Sequence, residues 1–339
     1  MLSLRKAELG EEKQMKDRYG REIDYLRISI TDRCNLRCKY CMPDGVPFIP
    51  MQEILTLEEM CTVARCAADL GIHKIKVTGG EPLVRKNCCY MIRLLKAIPG
   101  IEKVTITTNG ILLGRYLDEL ADAGIDGINI SMDTRDRKCF REITGSDGLA
   151  DVMESIERVT KLSIPVKVNA VSLDLGQENW MNLAELAREY PMDVRFIEMM
   201  PIGNGREFPA LDHQKLLNEL KKRYPDIMPD QRIHGFGPAV YYQIPGFQGS
   251  IGFISAIHGK FCDRCNRVRL TSQGFLKTCL CFEDGVDLRA ILRADLAEQE
   301  KTERLKEAMS GAIFNKPAAH CFEQPGQITE SHIMAAIGG

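Results

Sequence analysis

Thr31-Asp32-Arg33-Cys34-Asn35-Leu36-Arg37-Cys38-Lys39-Tyr40-Cys41 is the stretch that decides the fold of this 339-residue chain. Its three cysteines have the spacing Cys-x3-Cys-x2-Cys and directly follow the alternating run Leu26-Arg27-Ile28-Ser29-Ile30. The alternation predicts a β-strand, so the thiols should lie in the loop at its C-terminal end. Three thiolates can hold three irons of a four-iron cluster and leave the fourth iron open for an exchangeable ligand. A zinc knuckle is the alternative, although zinc sites favour paired Cys-x2-Cys units and four protein ligands.

This spacing, with Tyr40 before the last cysteine, resembles the signature of the radical S-adenosylmethionine (SAM) family. The resemblance implies that Cys34, Cys38 and Cys41 hold a [4Fe–4S] cluster whose open iron binds SAM and whose electron cleaves it to a 5′-deoxyadenosyl radical. Thr78-Gly79-Gly80-Glu81-Pro82 matches the family's Gly-Gly-Glu motif, which implies that Gly80 and Glu81 hold the SAM amino group. Further positions that match SAM contacts are Tyr40, Ser131 and Met200. Without the resemblance, Ser131 is an ordinary strand-end hydroxyl and Met200 a core methionine.

Composition narrows the class of protein. A hydrophobic content of 44% supports a large core, and no run of eighteen apolar residues predicts a membrane span. The net charge of −2 gives no general attraction to nucleic acid or to anionic lipid. Thirteen cysteines, an odd number without a signal peptide, argue against a disulfide framework. We therefore expect a cytoplasmic protein that binds neither nucleic acid nor membrane.

The chain predicts an α/β fold. Strands are expected at 26–30, 74–78, 103–108, 127–131, 164–171 and 193–199, and helices at 57–70, 87–97, 115–123, 149–162 and 180–189. Six β-α units in series predict a parallel sheet curled into a partial (βα)6 TIM-like barrel, residues 1–230. A smaller α+β domain, residues 231–339, is expected to follow, with strands at 240–244 and 250–256, the second group of cysteines, and a helix at 287–309.

The strands alternate, although a parallel strand buried on both faces should be almost wholly apolar. One set of alternate positions is polar, and its members include Arg27, Ser29, Lys76, Thr78, Thr105, Thr107, Asn129, Ser131, Lys167 and Asn169. A closed barrel would fill its interior with Val, Ile and Leu. The pattern therefore predicts a wide, wet lumen that holds a large polar ligand. An open sheet with one solvated face is the alternative.

A second cysteine group follows the spacing Cys262-x2-Cys265-x13-Cys279. It again offers three soft ligands, but Cys281 could supply a fourth and close a zinc or iron–sulfur site, and strand alternation does not choose between Cys279 and Cys281. Arg267 and Arg269 then place two guanidiniums on one strand face, which suits a polyphosphate. A solvated edge strand is the ordinary alternative for such a pair.

Two cysteine trios and this basic strand resemble the GTP 3′,8-cyclase family of molybdenum cofactor biosynthesis over almost the whole chain. The resemblance implies a second [4Fe–4S] cluster on Cys262, Cys265 and Cys279. It implies GTP contacts from Arg27, Lys76, Thr107, Lys167, Arg195, Arg267 and Arg269. Catalytic roles fall to the first trio, to Arg267 and Arg269, and to Gly338 and Gly339 of the C-terminal tail. Lys76 and His332 stand where the family usually has Arg.

The reaction that the resemblance implies converts GTP to (8S)-3′,8-cyclo-7,8-dihydroguanosine 5′-triphosphate, using SAM and two [4Fe–4S] clusters. The expected partners are GTP, a small reductant such as flavodoxin or ferredoxin, the next enzyme, which forms cyclic pyranopterin monophosphate, and a second copy of the chain in a homodimer. One alternative is a radical SAM peptide-modifying enzyme, which usually needs a leader-peptide domain and more C-terminal cysteines. A zinc-binding interaction protein is another. A P-loop GTPase is disfavoured because no Gly-x4-Gly-Lys-Ser/Thr motif occurs.

Overall fold

The fold is built around six parallel strands. A computed structural model describes residues 14–338, so the N-terminal thirteen residues and Gly339, a predicted catalytic residue, lie outside the described part. The six strands, β1 to β6, are Tyr25–Ser29, Lys74–Thr78, Lys103–Thr108, Ile128–Ser131, Val166–Val171 and Asp193–Ile197. Each pairs in parallel with the next. The predicted parallel sheet is confirmed.

Helices follow these strands in alternation. They are α1 Leu57–Asp69, α2 Cys88–Lys96, α3 Leu113–Asp122, α4 Arg137–Thr144, α5 Leu149–Val159, α6 Gln177–Ala184, α7 Leu186–Glu189 and α8 His213–Arg223, with α9 Leu288–Leu292 and α10 Glu298–Phe314 near the C-terminus. Helix α1 begins as its sequence predicts: the Thr56 side chain accepts from the Glu59 amide, and the Glu59 side chain accepts from the Thr56 amide. This reciprocal capping box satisfies two backbone donors that a helix start leaves unpaired.

The C-terminal part extends the same sheet at both ends. Its strands are β7 Met228–Pro229, β8 Val240–Gln243, β9 Ile251–Ile254, β10 Arg267–Leu270, β11 Phe275–Lys277 and β12 Gly285–Asp287. Strand β9 joins β6 and strand β10 joins β1, both in parallel, and the order across the sheet is β12-β11-β10-β1-β2-β3-β4-β5-β6-β9-β8-β7. The domain boundary at residue 230 stays a prediction.

The alternation along the strands separates a dry side of the sheet from a wet one. Ile28, Val77, Ile106 and Val168 are fully buried in the main hydrophobic core. The residues between them, such as Lys76 and Lys167, line a chamber of about 730 Å³. A polar face that encloses a cavity agrees with the predicted wet lumen and not with an open, solvated sheet.

Some elements differ from their predicted form. Helices α4 and α8 and strands β11 and β12 were not predicted, and the helix expected over 180–189 is two helices, α6 and α7. The helix expected over 287–309 is also two, α9 and α10. The end of α9 is tied to the start of α1, because the Arg293 guanidinium pairs with Glu59 and donates to the carbonyls of Gln52 and Ile54. Such contacts over more than 200 residues leave no local sequence pattern.

Candidate active site

The chamber runs through the sheet's polar face from the first cysteine loop to the loop at 232–238, here called the floor loop. It brings together most of the residues that the sequence selected. Those lining it are Arg27, Cys34, Cys38, Tyr40, Cys41, Lys76, Gly80, Thr107, Ser131, Lys167, Arg195, Met200, Arg267 and Arg269. The predicted residues that do not line it are Glu81, Cys262, Cys265, Cys279 and Gly338.

The first cysteine trio (Cys34, Cys38, Cys41) lies half-buried at one end of the chamber. Three soft thiol donors on one short loop suit a four-iron cluster, which takes three thiolates and leaves one iron open. Burial raises the pKa of Cys41 to about 12, so metal binding must displace protons from these thiols.

Two glycines let the first cysteine loop pack against the end of β2. A Cβ on Gly79 would lie 2.5 Å from the Thr31 carbonyl oxygen, and one on Gly80 would lie 2.4 Å from that of Arg33. The Gly80 amide donates to the Thr31 carbonyl, and the Glu81 amide donates to that of Arg33, both at 2.8 Å. Any side chain larger than hydrogen would separate the two segments. Both glycines line the chamber, Gly79 as a buried residue and Gly80 as a partly exposed one.

Glu81 occupies a different place from the one expected for a residue that contacts SAM. Its side chain is fully buried behind the glycines, where it accepts from the amides of Leu83 and Asn109 and from the Thr108 hydroxyl. Burial raises the pKa of Glu81 to about 7 despite these three donors. Because its oxygens are already occupied, the carboxyl positions the ends of β2 and β3 and does not face the chamber.

Tyr40 is anchored across the chamber by a residue that sequence reasoning did not assign to the site. Its hydroxyl donates to Asp133 at 2.7 Å, and the other oxygen of Asp133 accepts from the Val171 amide at 2.8 Å. Burial raises the pKa of Asp133 to about 6. The two predicted SAM contacts Ser131 and Met200 also line this part of the wall.

Cationic side chains on neighbouring strands lie side by side on the chamber wall. Arg27 is in register with Lys76 on β2 and with Arg269 on β10. Burial lowers the pKa of Lys76 well below its usual value, and the nearby Arg195 and Arg27 lower it further. Burial likewise lowers the pKa of Arg27 to about 10, with Arg267 and Arg195 contributing. The chamber therefore concentrates like charges that a polyanion would neutralise.

Lys167 and Arg195 are held by neighbouring side chains, of which Asn169 was predicted to line the lumen and Asp193 and His234 were not. Lys167 Nζ lies 2.5 Å from Asp193 Oδ2, and the same oxygen contacts His234 Nδ1 at 2.9 Å. Arg195 Nε donates to Asn169 Oδ1 at 2.9 Å. Asp193 is opposite Lys167 in the β5–β6 register, so a known strand pairing would have found it. His234 comes from the floor loop and has no such local signal.

The second cysteine trio (Cys262, Cys265, Cys279) lies half-buried behind Arg267 and Arg269. Burial alone would raise the pKa of Cys265, but the charges of Lys316 and Arg267 lower it to about 7. A cationic surrounding of this kind favours thiolate ligands.

Cys281 makes its sulfur contact with Cys321, whose sulfur lies 3.2 Å away. Its side chain is buried in an apolar cluster with Ile202, Phe322 and Ile337, and Cys279 of the second trio packs against the same cluster. The second trio is held by Arg21, which donates to the carbonyls of Cys262, Pro317 and Ala318 at 2.6–2.8 Å.

The C-terminal tail passes between the first trio and the basic strand β10. The Ala335 amide lies against Cys41, where its hydrogen bond lowers the thiol's pKa against the larger effect of burial. The Gly338 carbonyl accepts from Arg269 at 2.5 Å. Gly338 has φ +76°, a conformation that glycine adopts without strain. Upstream, buried Glu330 anchors the tail by pairing with Lys277 and accepting from the His332 amide.

Comparison with known proteins agrees with this geometry. Residues 28–190 match the family model described as Radical SAM superfamily, and residues 192–322 match the one described as Molybdenum Cofactor Synthesis C. A GTP 3′,8-cyclase of Clostridium perfringens (strain 13 / Type A) is 43% identical over 327 residues, which are 96% of this chain and 100% of that protein. The chain belongs to the GTP 3′,8-cyclase family. Another GTP 3′,8-cyclase, from Moorella thermoacetica, is 41% identical over 96% of this chain and its own full length.

Solved structures give the same fold for this member of the GTP 3′,8-cyclase family. Streptococcus suis SuiB bound to S-adenosylmethionine matches with a TM-score of 0.65 and 13% identity, over 94% of this chain and 79% of SuiB. At that identity the match shows the fold alone, the radical SAM partial barrel with a C-terminal extension. The family membership rules out the zinc-binding interaction protein and favours the cyclase over the peptide-modifying alternative.

Proposed function

We propose that the chain converts GTP to (8S)-3′,8-cyclo-7,8-dihydroguanosine 5′-triphosphate, the first step of molybdenum cofactor biosynthesis. The observation that carries this proposal is one chamber with a cysteine trio at its end, the six predicted GTP-binding cations on its wall and a second trio next to two of those cations. A lyase of this kind needs a place for SAM, a place for a nucleotide and a fixed relation between them.

The first trio and the wall beside it would hold the first [4Fe–4S] cluster and SAM. When bound, this pair supplies the 5′-deoxyadenosyl radical that removes the hydrogen from ribose C3′ of GTP. Of the chain's own groups, the Gly79–Gly80 backbone lines the chamber next to the first cysteine loop and would face the amino and carboxylate groups of SAM. Tyr40 is fixed by Asp133 for contact with the ligand, and Ser131 and Met200 complete this side.

The cations would bind the triphosphate. Arg27, Lys76, Lys167, Arg195, Arg267 and Arg269 converge on one space, and Thr107 adds a hydroxyl to the same wall. Guanidiniums suit phosphate because they donate two parallel hydrogen bonds, whereas Lys76 and Lys167 act as point charges. Lys167 is oriented by Asp193, and Arg195 by Asn169, so part of the ordering is complete before the ligand arrives.

The second trio would hold the second [4Fe–4S] cluster next to Arg267 and Arg269. Because Cys281 contacts Cys321, the second trio would offer three protein thiols to a four-iron cluster, and the fourth iron would be open to the guanine base. The base would then lie at the second cluster and the phosphates among the cations, with the ribose toward the first trio.

The tail would complete the substrate site. Gly338 reaches Arg269 through its carbonyl, and the absence of a side chain keeps it thin beside Ser29 and Thr78. Arg269 is thereby held in place from the side opposite its strand. The role of Gly339, beyond the described residues, stays a prediction of the resemblance, as does the consequence of His332.

The partners of this reaction are also proposed. A small reductant such as flavodoxin or ferredoxin would supply the electron, and the product would pass to the next enzyme, which forms cyclic pyranopterin monophosphate. All thirteen cysteines are free thiols, which suits a reducing cytoplasm. Among residues 14–338, none of the helices combines the length and apolar character that a membrane crossing requires. The homodimer stays a prediction.

The proposal is tested by anaerobic incubation of the reconstituted enzyme with SAM, dithionite and GTP deuterated at C3′. We expect 5′-deoxyadenosine that carries deuterium, together with a cyclised nucleotide of unchanged triphosphate content, both measured by mass spectrometry. A Cys38→Ala variant should form neither product. Formation of 5′-deoxyadenosine that does not respond to GTP, or that acquires no deuterium from it, would overturn the assignment of the substrate.

A further inference from the structure

Two cysteines outside the predicted clusters meet at one point. Cys281 follows β11, and Cys321 lies forty residues later, beyond α10, yet their sulfurs are 3.2 Å apart. Both are free thiols; Cys281 is fully buried and Cys321 is half-buried. Neither is needed for a three-thiol cluster, so the proposed reaction leaves this pair without a role.

The backbone around the two thiols holds them in contact. The Cys321 amide donates to the Cys281 sulfur at 3.3 Å, and the Glu330 amide donates to the Cys281 carbonyl at 3.2 Å. Residue 320 is tied to the second trio, because the His320 amide donates to the Cys262 sulfur at 3.5 Å. The contact therefore belongs to a packed region and not to two mobile chain ends.

The two thiols differ in access. Cys281 has no exposed surface and packs in the apolar cluster formed with Ile202, Phe322, Ile328 and Ile337. Cys321 retains an exposed portion. A reagent from solution would therefore meet Cys321 first, and Cys281 is already within reach of the sulfur that has reacted.

We propose that Cys281 and Cys321 form a redox-active dithiol, a modification site that closes to a disulfide beside the second cluster. The Cys321 thiolate attacks a low-molecular-weight disulfide such as oxidised glutathione, forming a mixed disulfide and releasing one glutathione thiol. Cys281 then attacks the Cys321 sulfur and releases the second glutathione thiol. Two protein S–H bonds are lost, one protein S–S bond forms, and the two electrons and two protons appear in the two glutathione thiols.

The new bond would join the loop that carries Cys279 to the segment that leads into the tail. Cys279 is two residues before Cys281, and the segment after Cys321 continues to Glu330 and Gly338. Closing a loop of this length restricts the unfolded chain. Oxidation should therefore stabilise the segments around the second trio and raise the unfolding temperature of that region.

The test uses the anaerobically reconstituted holoenzyme, in which the six predicted ligand cysteines are protected by iron. It is treated with oxidised glutathione, denatured in the presence of excess iodoacetamide, and digested with trypsin. We expect a crosslink between peptides 278–289 and 307–339, 2 Da below the sum of the two reduced peptides and reversed by dithiothreitol. Fragment ions should place the bond on Cys281 and leave Cys279 free for alkylation.

Variants separate this proposal from a general sensitivity to oxidation. Cys321→Ala should abolish the crosslink with no change in iron content or in the response of the second cluster's EPR signal to GTP. Cys139→Ala, at another half-buried cysteine, should retain the crosslink. The proposal is overturned if both thiols are recovered fully alkylated after treatment, if the bond involves Cys279, or if Cys281→Ala loses iron from the second cluster, which would make Cys281 a ligand.

Discussion

Lys76 is buried among the other cations of the chamber wall. It is 8% exposed, lies opposite Arg27 in the β1–β2 register, and its pKa is lowered by burial and by the surrounding cations. A bound triphosphate would remove this unfavourable energy, so part of the binding energy comes from repulsion that is already present in the free protein.

Replacing Lys76 by Met should weaken GTP binding and leave the first cluster intact. A charged hydrogen bond contributes about 1.5–3 kcal/mol, so we expect KM for GTP to rise about 10- to 100-fold. At saturating GTP, formation of 5′-deoxyadenosine should change little. Lys86→Met, at an exposed position, is the control. An unchanged KM in Lys76→Met would exclude this residue from the phosphate site.

Some residues of the site could be placed from the sequence and others could not. Arg27, Lys76 and Lys167 were found because strand alternation is local and assigns each side chain to a face. The positions of Glu81 and Cys281 could not be read in this way. Each depends on partners from other segments, Asn109 for Glu81 and Cys321 for Cys281, and those contacts exist only after folding.

At the scale of elements, the first cysteine loop depends on the turn after β2. Gly80→Ala would place a methyl group 2.4 Å from the Arg33 carbonyl oxygen and 2.7 Å from its carbon, and both are backbone atoms that cannot move independently. We expect loss of the first cluster, with iron falling from about eight to about four per chain. SAM cleavage should be lost with it.

The matched control for that substitution is Gly311→Ala. Gly311 lies within α10, and nothing would approach an added Cβ within 4 Å. Alanine favours a helix over glycine by up to about 1 kcal/mol, so this variant should keep its iron and unfold at an equal or higher temperature. Full iron content in Gly80→Ala would show that the loop tolerates separation from β2.

Replacing Arg21 should remove the second cluster and keep the first, the reverse of the result expected for Gly80→Ala. Its guanidinium pairs with Asp17 and donates to the carbonyls of Cys262 in the second trio and of Pro317 and Ala318 further along the chain. In Arg21→Ala we expect iron to fall to about four per chain, with the SAM-induced EPR change kept and the GTP-induced change lost. Arg18→Ala, at an exposed arginine three residues away, should behave as wild type. Equal loss of both signals would show a general fold defect.

The elements were predicted unevenly for a physical reason. Strands β2 and β3 have the predicted bounds because each is a short alternating run between turn residues. Strand β10 was expected from the alternation Arg267-Val268-Arg269, but strands β11 and β12 were not predicted. They are only three residues long and depend on pairing with β10 and with each other. This pairing, and not their own sequence, makes them strands.

At the scale of the whole molecule, the buried cations should make stability depend on pH. Because the pKa of Lys76 is lowered on folding, the unfolded chain binds more protons in the window below the ordinary value of 10.5. The free energy of unfolding of the GTP-free enzyme should therefore rise with pH across that window. Anaerobic denaturation between about pH 7 and about pH 10 measures this slope.

The wild type and Lys76→Met must be compared at each pH, because the thiols also titrate in this range. We expect a positive wild-type-minus-variant slope, and saturating GTP should reduce it by raising the pKa of Lys76. A difference independent of pH would mean that folding does not lower the pKa of Lys76. The same cations predict that inorganic triphosphate stabilises the enzyme and that added salt weakens this effect.

The sheet's connectivity also sets an order for folding in the cell. Strand β1 has β2 on one side, but its other partner is β10, where Leu26 pairs with Val268. At about 5–20 residues per second, a ribosome needs on the order of tens of seconds to add the residues between them. During that interval the growing chain carries one open edge of β1, a place where nascent chains can join one another. Closure of that edge brings Arg267 and Arg269 against Arg27, so the nucleotide site is assembled only when synthesis is almost finished.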